Sequence, residues 1–326
     1  VLVGPLLAER AKQAGIVYSM AYGDQPALIC ELVDWARAAG FDVVAAGKGT
    51  LYMPEFHTST PETVWGHYGL TLERAEKSGL NPKMFNSFLD GTKSGIEMAA
   101  VANATGLTPA PGGLTFPACP VEKIASTLIP ESEGGKLHHK GQVEVISSRG
   151  RNGIDLENDL RWGVYVTFEA PSEYVERCFA DYGLTTDASG KYSALWRPCH
   201  LIGLELGISV ATAALHGLPT GTPTGFRADV VACAKRHLAK GEVVDGEGGY
   251  TVWGRLMVAG DSLSHGAVPI GLAHGLILKN PVDESAVLKW SDVDSPDENA
   301  SVALTLRREM EATLGPRTGI VRAAAG

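Results

Sequence analysis

The first fifty residues alternate helix and strand under glycine punctuation, a grammar that restricts the chain to an α/β architecture. Gly4 to Ala14 places apolar residues at helical spacing and stops at Gly15. Ile16 to Ala21 has the composition of a short buried strand. The turn Gly23-Asp24-Gln25-Pro26 then puts Pro26 in the first turn of a second helix, Ala27 to Ala39, which Gly40 closes. Phe41 to Ala46 supplies a second strand. No G-x-G-x-x-G opens any of these units; Gly47-Lys48-Gly49 comes nearest but has Tyr52 where the third glycine would stand.

At 326 residues and 44% hydrophobic, the chain can bury a full core across two or more domains. No apolar run approaches the length of a membrane span, since Leu201 to Leu215 is interrupted by Glu205 and Ser209, and nothing resembles a signal peptide. The cytoplasm is the expected compartment. A net charge of -9 disfavours nucleic acid and anionic membranes as partners and leaves a small molecule as the natural ligand. Five widely spaced cysteines, with no C-x-x-C, read as reduced thiols rather than a disulfide or zinc framework.

The strongest chemical signal is Asn86-Ser-Phe-Leu-Asp90-Gly-Thr-Lys93-Ser-Gly-Ile-Glu97. If the segment is one helix, steps of four, three and four residues align Asn86, Asp90, Lys93 and Glu97 on one stripe flanked by Phe85, Phe88, Leu89 and Ile96. Such a stripe suits the wall of an active site. The plain alternative is a solvated face with a Lys93/Glu97 pair, yet Ala99, Ala100, Val101 and Ala102 follow without further charge.

Further along, Val143 to Ile146 and Trp162 to Phe168 read as strands and Ser172 to Phe179 as a helix capped by Ser172. Adjacent His138 and His139 project differently and make a poor metal pair. Arg197 and His200 precede the apolar run Leu201 to Leu215, expected to be a buried helix whose N-terminus could hold a substrate anion; an ordinary hydrogen-bonded His200 is the alternative. Lys235 to Val244 aligns with Lys279 to Leu288 at an offset of 44 residues, which suggests a pseudo-symmetric β module over 229–293. Ser301 to Leu314 reads as a terminal helix and Gly315 to Gly326 as a frayed tail.

The runs GDQPALIC at Gly23, VAAGKGT at Val44, NPKMFNSFLDGTKSGIEM at Asn81 and RPCHLIGLELGISVA at Arg197 together resemble the DXR-like branch of the homoserine dehydrogenase-like oxidoreductases. The resemblance covers nearly the whole chain. It implies the C-terminal remnant of a Rossmann domain (1–46), a mixed α+β catalytic domain (47–228), a small β-clip, SAF-like module (229–293) and a terminal segment (294–326). The family's glycine fingerprint would lie upstream of Val1, so these 326 residues are expected to bind nicotinamide cofactor weakly. A sheet edge left unpaired would favour a homo-oligomer.

The implied activity is an NAD(P)-dependent oxidoreductase or reductoisomerase, with NADP or NAD as cofactor and 1-deoxy-D-xylulose 5-phosphate as one substrate the resemblance suggests. Homoserine dehydrogenases proper carry an acidic residue four positions before a lysine; here Lys93 precedes Glu97, which turns the reading toward a more anionic substrate. The resemblance assigns oxyanion or proton-transfer chemistry to Lys93, tuned by Asp90 and Glu97, substrate binding to Lys48, Asn86, Arg197 and His200, and the nicotinamide end to Gly23, Asp24, Gln25 and Pro26. Asp90, Glu97 and Glu205 offer oxygen ligands for a divalent metal, but no spacing demands one. The rival from another class is a noncatalytic sugar-acid or phosphate-binding protein that retains the pocket.

Overall fold

The computed structural model describes residues 1–294 and 301–315; the tail expected to fray lies, beyond Gly315, outside the described residues. A four-stranded mixed sheet makes the chain an α/β protein. Strand β1 (Asp42–Thr50) pairs in parallel with β2 (Gln142–Ser147) and antiparallel with β3 (Val164–Glu169), and β4 (Tyr192–Arg197) completes the order β2-β1-β3-β4. Both faces are covered, so β1 and β3 read as continuous small or apolar runs rather than as alternating ones. Helix α1 is Gly4–Gln13, and helices α2 (Gln25–Ala38), α3 (Pro82–Leu89) and α4 (Thr92–Thr105) follow it. Leu28, Ile29 and Val33 of α2, with Met98 and Val101 of α4, cover one face against Val143, Val164 and Phe168. On the other face Ile124, Leu128 and Leu137 pack on Val44, Tyr165 and Tyr192.

The division expected after residue 46 falls inside β1, whose two neighbours both come from later in the chain. Those neighbours also explain why Ile16 to Ala21 is not the buried strand its composition suggests. No edge of β1 is free to accept it, Ile16 is 65% exposed, and Met20 N–H donates to the Gly221 carbonyl at 2.8 Å outside any sheet. The expected helix from Leu201 is likewise corrected. Gly203 sits at φ +79°, the helix spans only Leu206–Ala211 before a π turn at Thr212–His216, and most of its apolar side chains face outward.

Helix α5 is Glu173–Asp181, N-capped by the Ser172 hydroxyl. Beyond it, α4 is sandwiched: its second face packs on the antiparallel pair β5 (Ala228–Ala234) and β6 (Val252–Val258), where Gly95 approaches Gly254 closely. Helix α6 (Val302–Leu314) packs on α1, and its Arg307 forms a buried ion pair with Asp229 of β5. The 44-residue repeat has a geometric counterpart. Leu238 and Val282, equivalent positions of the two copies, bridge each other, and the bridge Cys233 to Val287 maps onto Val243 to Ile277. That pairing is what a local two-fold axis produces.

Candidate active site

The polar stripe is broken by one residue. Asn81 caps α3 through a 3.2 Å bond from Met84 N–H, the helix ends at Asp90, and Gly91 at φ +93° turns the chain before α4 begins. A left-handed corner of this kind is open to glycine and disfavours other residues. It sends the two halves of the stripe in different directions.

Lys93 and Glu97 face a cleft of about 320 Å³ together with Lys48, Gln25 and Asp24. Glu97 is buried, accepts from Lys48 Nζ through one carboxylate oxygen and pairs with Lys93 Nζ at 3.1 Å through the other. Lys48 also donates to Gln25 Oε1 at 2.9 Å. The opposite wall is aromatic, built from Tyr68, Phe85, Phe88 and Trp162, with Arg161 and His200 at the rim. Lys48 reaches this floor because it stands between two glycines. A Cβ on Gly47 would lie 1.7 Å from the Glu144 carbonyl oxygen, and one on Gly49 would lie 1.9 Å from that of Leu160.

Asn86 and Asp90 are not in the cleft. Asn86 is wholly buried, accepting from the Ser59 hydroxyl at 2.6 Å and donating to the Ser59 and Gly248 carbonyls. Asp90 forms a buried ion pair with Lys235 at 2.8 Å and accepts from Thr92 N–H at 2.9 Å. Both were drawn into the stripe by helical spacing that Gly91 interrupts. Arg197 also lies outside the cleft lining, because Glu205 and the Tyr22 hydroxyl engage its guanidinium. His200 does line it, with Nδ1–H donating to the Trp162 carbonyl at 2.7 Å. Phe85 and Phe88 flank the stripe in the sequence, but Tyr68, Trp162 and Arg161 carried no signal there, since they come from separate segments that meet only on folding.

Charge settles which roles these groups can take. Burial alone would raise the Glu97 carboxyl, but Lys48 and Lys93 outweigh it and hold the group below its ordinary value. Burial works to lower Lys93, yet Glu97, Asp24 and Glu247 hold it above the usual lysine range. Lys93 is therefore an ammonium at neutral pH, a group that can donate hydrogen bonds but not act as a base. Lys48 and Lys93 face two carboxylates in the cleft, Glu97 and Asp24, so the cation left over for an anionic substrate is Arg161.

The turn Gly23 to Pro26 does not fit a dinucleotide pyrophosphate. Asp24 caps α2 with its own carboxylate, which accepts from Gln25 N–H at 3.0 Å and sets a negative charge where the phosphates would sit. Gly23 is crowded by the Leu201 carbonyl and Glu205, and only Asp24 and Gln25 of the four line the cleft. The three carboxylates considered as metal ligands engage different cations: Asp90 with Lys235, Glu97 with Lys48 and Lys93, Glu205 with Arg197. A second groove of about 360 Å³, between α1 and the 217–225 loop, gathers no comparable set of converging polar groups.

No curated protein matches the chain. Residues 23–206, more than half of its length, match the family described as Oxidoreductase DRL, catalytic domain. That span opens at the turn before α2, crosses the whole mixed sheet, and holds every residue of the charged floor. The chain belongs to the DRL oxidoreductase family and carries its catalytic domain.

Proposed function

We propose that the cleft is the substrate half of a nicotinamide-dependent oxidoreductase acting on a small anionic carbonyl or hydroxyl compound. The observation that carries this reading is the Lys48–Glu97–Lys93 triad, buried at the base of a cleft and presenting one ammonium toward its open space. When a carbonyl is reduced, or a hydroxyl oxidised, negative charge develops or disperses on its oxygen. A preorganised ammonium at that oxygen stabilises the transition state more than the ground state. Lys93 takes that role, Glu97 holds its Nζ in place, and Lys48 with Gln25 orients Glu97. Arg161 and His200 supply the rim contacts for an anionic end of the substrate. The chain's resemblance to reductoisomerases makes 1-deoxy-D-xylulose 5-phosphate the first compound to try, with conversion to 2-C-methyl-D-erythritol 4-phosphate as the finer form of the proposal.

The test is nicotinamide absorbance in the full-length protein against a panel of sugar phosphates and sugar acids. Lys93→Met is expected to lower kcat by on the order of 10² or more. Unchanged turnover would remove Lys93 from the reaction. Calorimetric titration of NADP and NAD into the 326-residue chain is expected to give weak binding or none, and micromolar affinity would overturn the reading of the Gly23 to Pro26 turn.

A further inference from the structure

The corner at Asp90 and Gly91 joins the two walls of the cleft. Phe85 and Phe88 on α3 lie just before it, and Lys93 and Glu97 on α4 lie just after it. Residues outside the matched catalytic span hold that corner at four points. Lys235, which follows β5, pairs with the Asp90 carboxylate at 2.8 Å and donates to the Ser59 and Gly249 carbonyls at 2.7 and 2.8 Å. Gly254 N–H of β6 donates to the Thr92 hydroxyl at 2.7 Å. Trp253 stacks on His57 at 3.9 Å between ring centroids, and His57 in turn donates to the Asp90 carbonyl at 2.7 Å. Glu247 accepts from the Ser87 hydroxyl at 2.5 Å, on the residue next to Phe88 of the aromatic wall.

This is more apparatus than a helix corner needs. Gly91 already supplies the turn, and Asp90 already caps Thr92. A fully buried lysine–aspartate pair is costly to desolvate and adds little net stability over an apolar pair of the same shape, so what it adds is a fixed geometry. We infer that Lys235 is a positioning residue of the candidate centre: by pinning Asp90 it sets the angle between α3 and α4, and with it the placement of Lys93 against Glu97 and the aromatic wall.

The inference rests on the reading of Lys93 and Glu97 as the centre, and its test is independent of turnover. Acylation of Lys93 by a water-soluble reagent is followed by peptide mass spectrometry across alkaline pH, with Lys140, which is paired to Glu133 and Glu169 elsewhere, as internal reference. In Asp90→Asn/Lys235→Met, which removes both charges, the Lys93 to Lys140 rate ratio is expected to rise roughly threefold or more, equivalent to half a pKa unit. Lys235→Arg, which keeps the charge but changes its shape, covers the case in which the double variant does not fold, and is expected to move the ratio in the same direction. A ratio equal to wild type in a folded variant overturns the inference, because a purely structural pair would alter melting and leave Lys93 untouched. Failure of the functional reading is distinct: Lys93→Met would then turn over normally.

Discussion

At the scale of single residues, the hydrogen-bond partners of His57 decide its protonation. The Asp90 carbonyl can only accept, so Nδ1 carries the proton, and Nε2 accepts from the Tyr52 hydroxyl at 2.9 Å. Such a ring is neutral, and burial pushes its pKa down to about 4. Because the folded value lies below the unfolded one, the unfolded chain binds the proton first as pH falls. Stability is therefore full above about 6.5, where the free imidazole titrates, and declines through the folded value near 4, by about 3 kcal/mol in total. Urea midpoints measured across that window are expected to fall with pH, and the slope should flatten in His57→Gln. An identical slope in the variant would mean that other groups carry the acid sensitivity. Nothing around His57 in the sequence announces this role, because Asp90 and Trp253 reach it only through the fold. Lys93 and Glu97, by contrast, are legible from the sequence, since their spacing on a helix is local information.

At the scale of elements, glycine explains both the success and the failure of helical spacing. Gly47 and Gly49 bring the neighbouring backbones against β1 and so carry Lys48 into the floor. Gly49→Ala is expected to destabilise the protein by about 1–3 kcal/mol or more, since the added methyl meets backbone rather than a movable side chain. Thermal melting checks the stability, and substrate affinity should fall with it as Lys48 shifts. A Tm within a degree or two of wild type would show that the strand relaxes without cost. Gly91 acts the other way: it cuts the Asn86 to Glu97 stripe into one half that docks the C-terminal strands and one half that lines the cleft. Lys235, which the sequence offers only as the first residue of the 44-residue repeat, thereby becomes a buried partner of Asp90.

At the scale of the whole molecule, the segment from Leu201 to Leu218 sets the clearest expectation. Eight of its Leu, Ile and Val side chains are 44% to 83% exposed, and it contains no lysine or arginine. Their combined apolar surface is roughly 800–900 Å², about one partner's share of a standard protein interface. The chain is expected to self-associate with rising concentration in sedimentation velocity runs, and Leu204→Glu/Leu215→Glu should weaken that association. Equal sedimentation of variant and wild type would place the association surface elsewhere. Sequence alone supplied the α/β class, the bounds of four helices, the 44-residue repeat and the candidacy of Lys48, Lys93 and Glu97, because periodicity, caps and glycine punctuation act over a few residues. Only the tertiary structure decided that Asn86 and Asp90 face away from the cleft, that four aromatic side chains form its wall, and that β1 belongs to one sheet with strands a hundred residues later. Those outcomes depend on which surfaces meet, and a single positive φ at Gly91 is enough to redirect a pattern that spacing makes continuous.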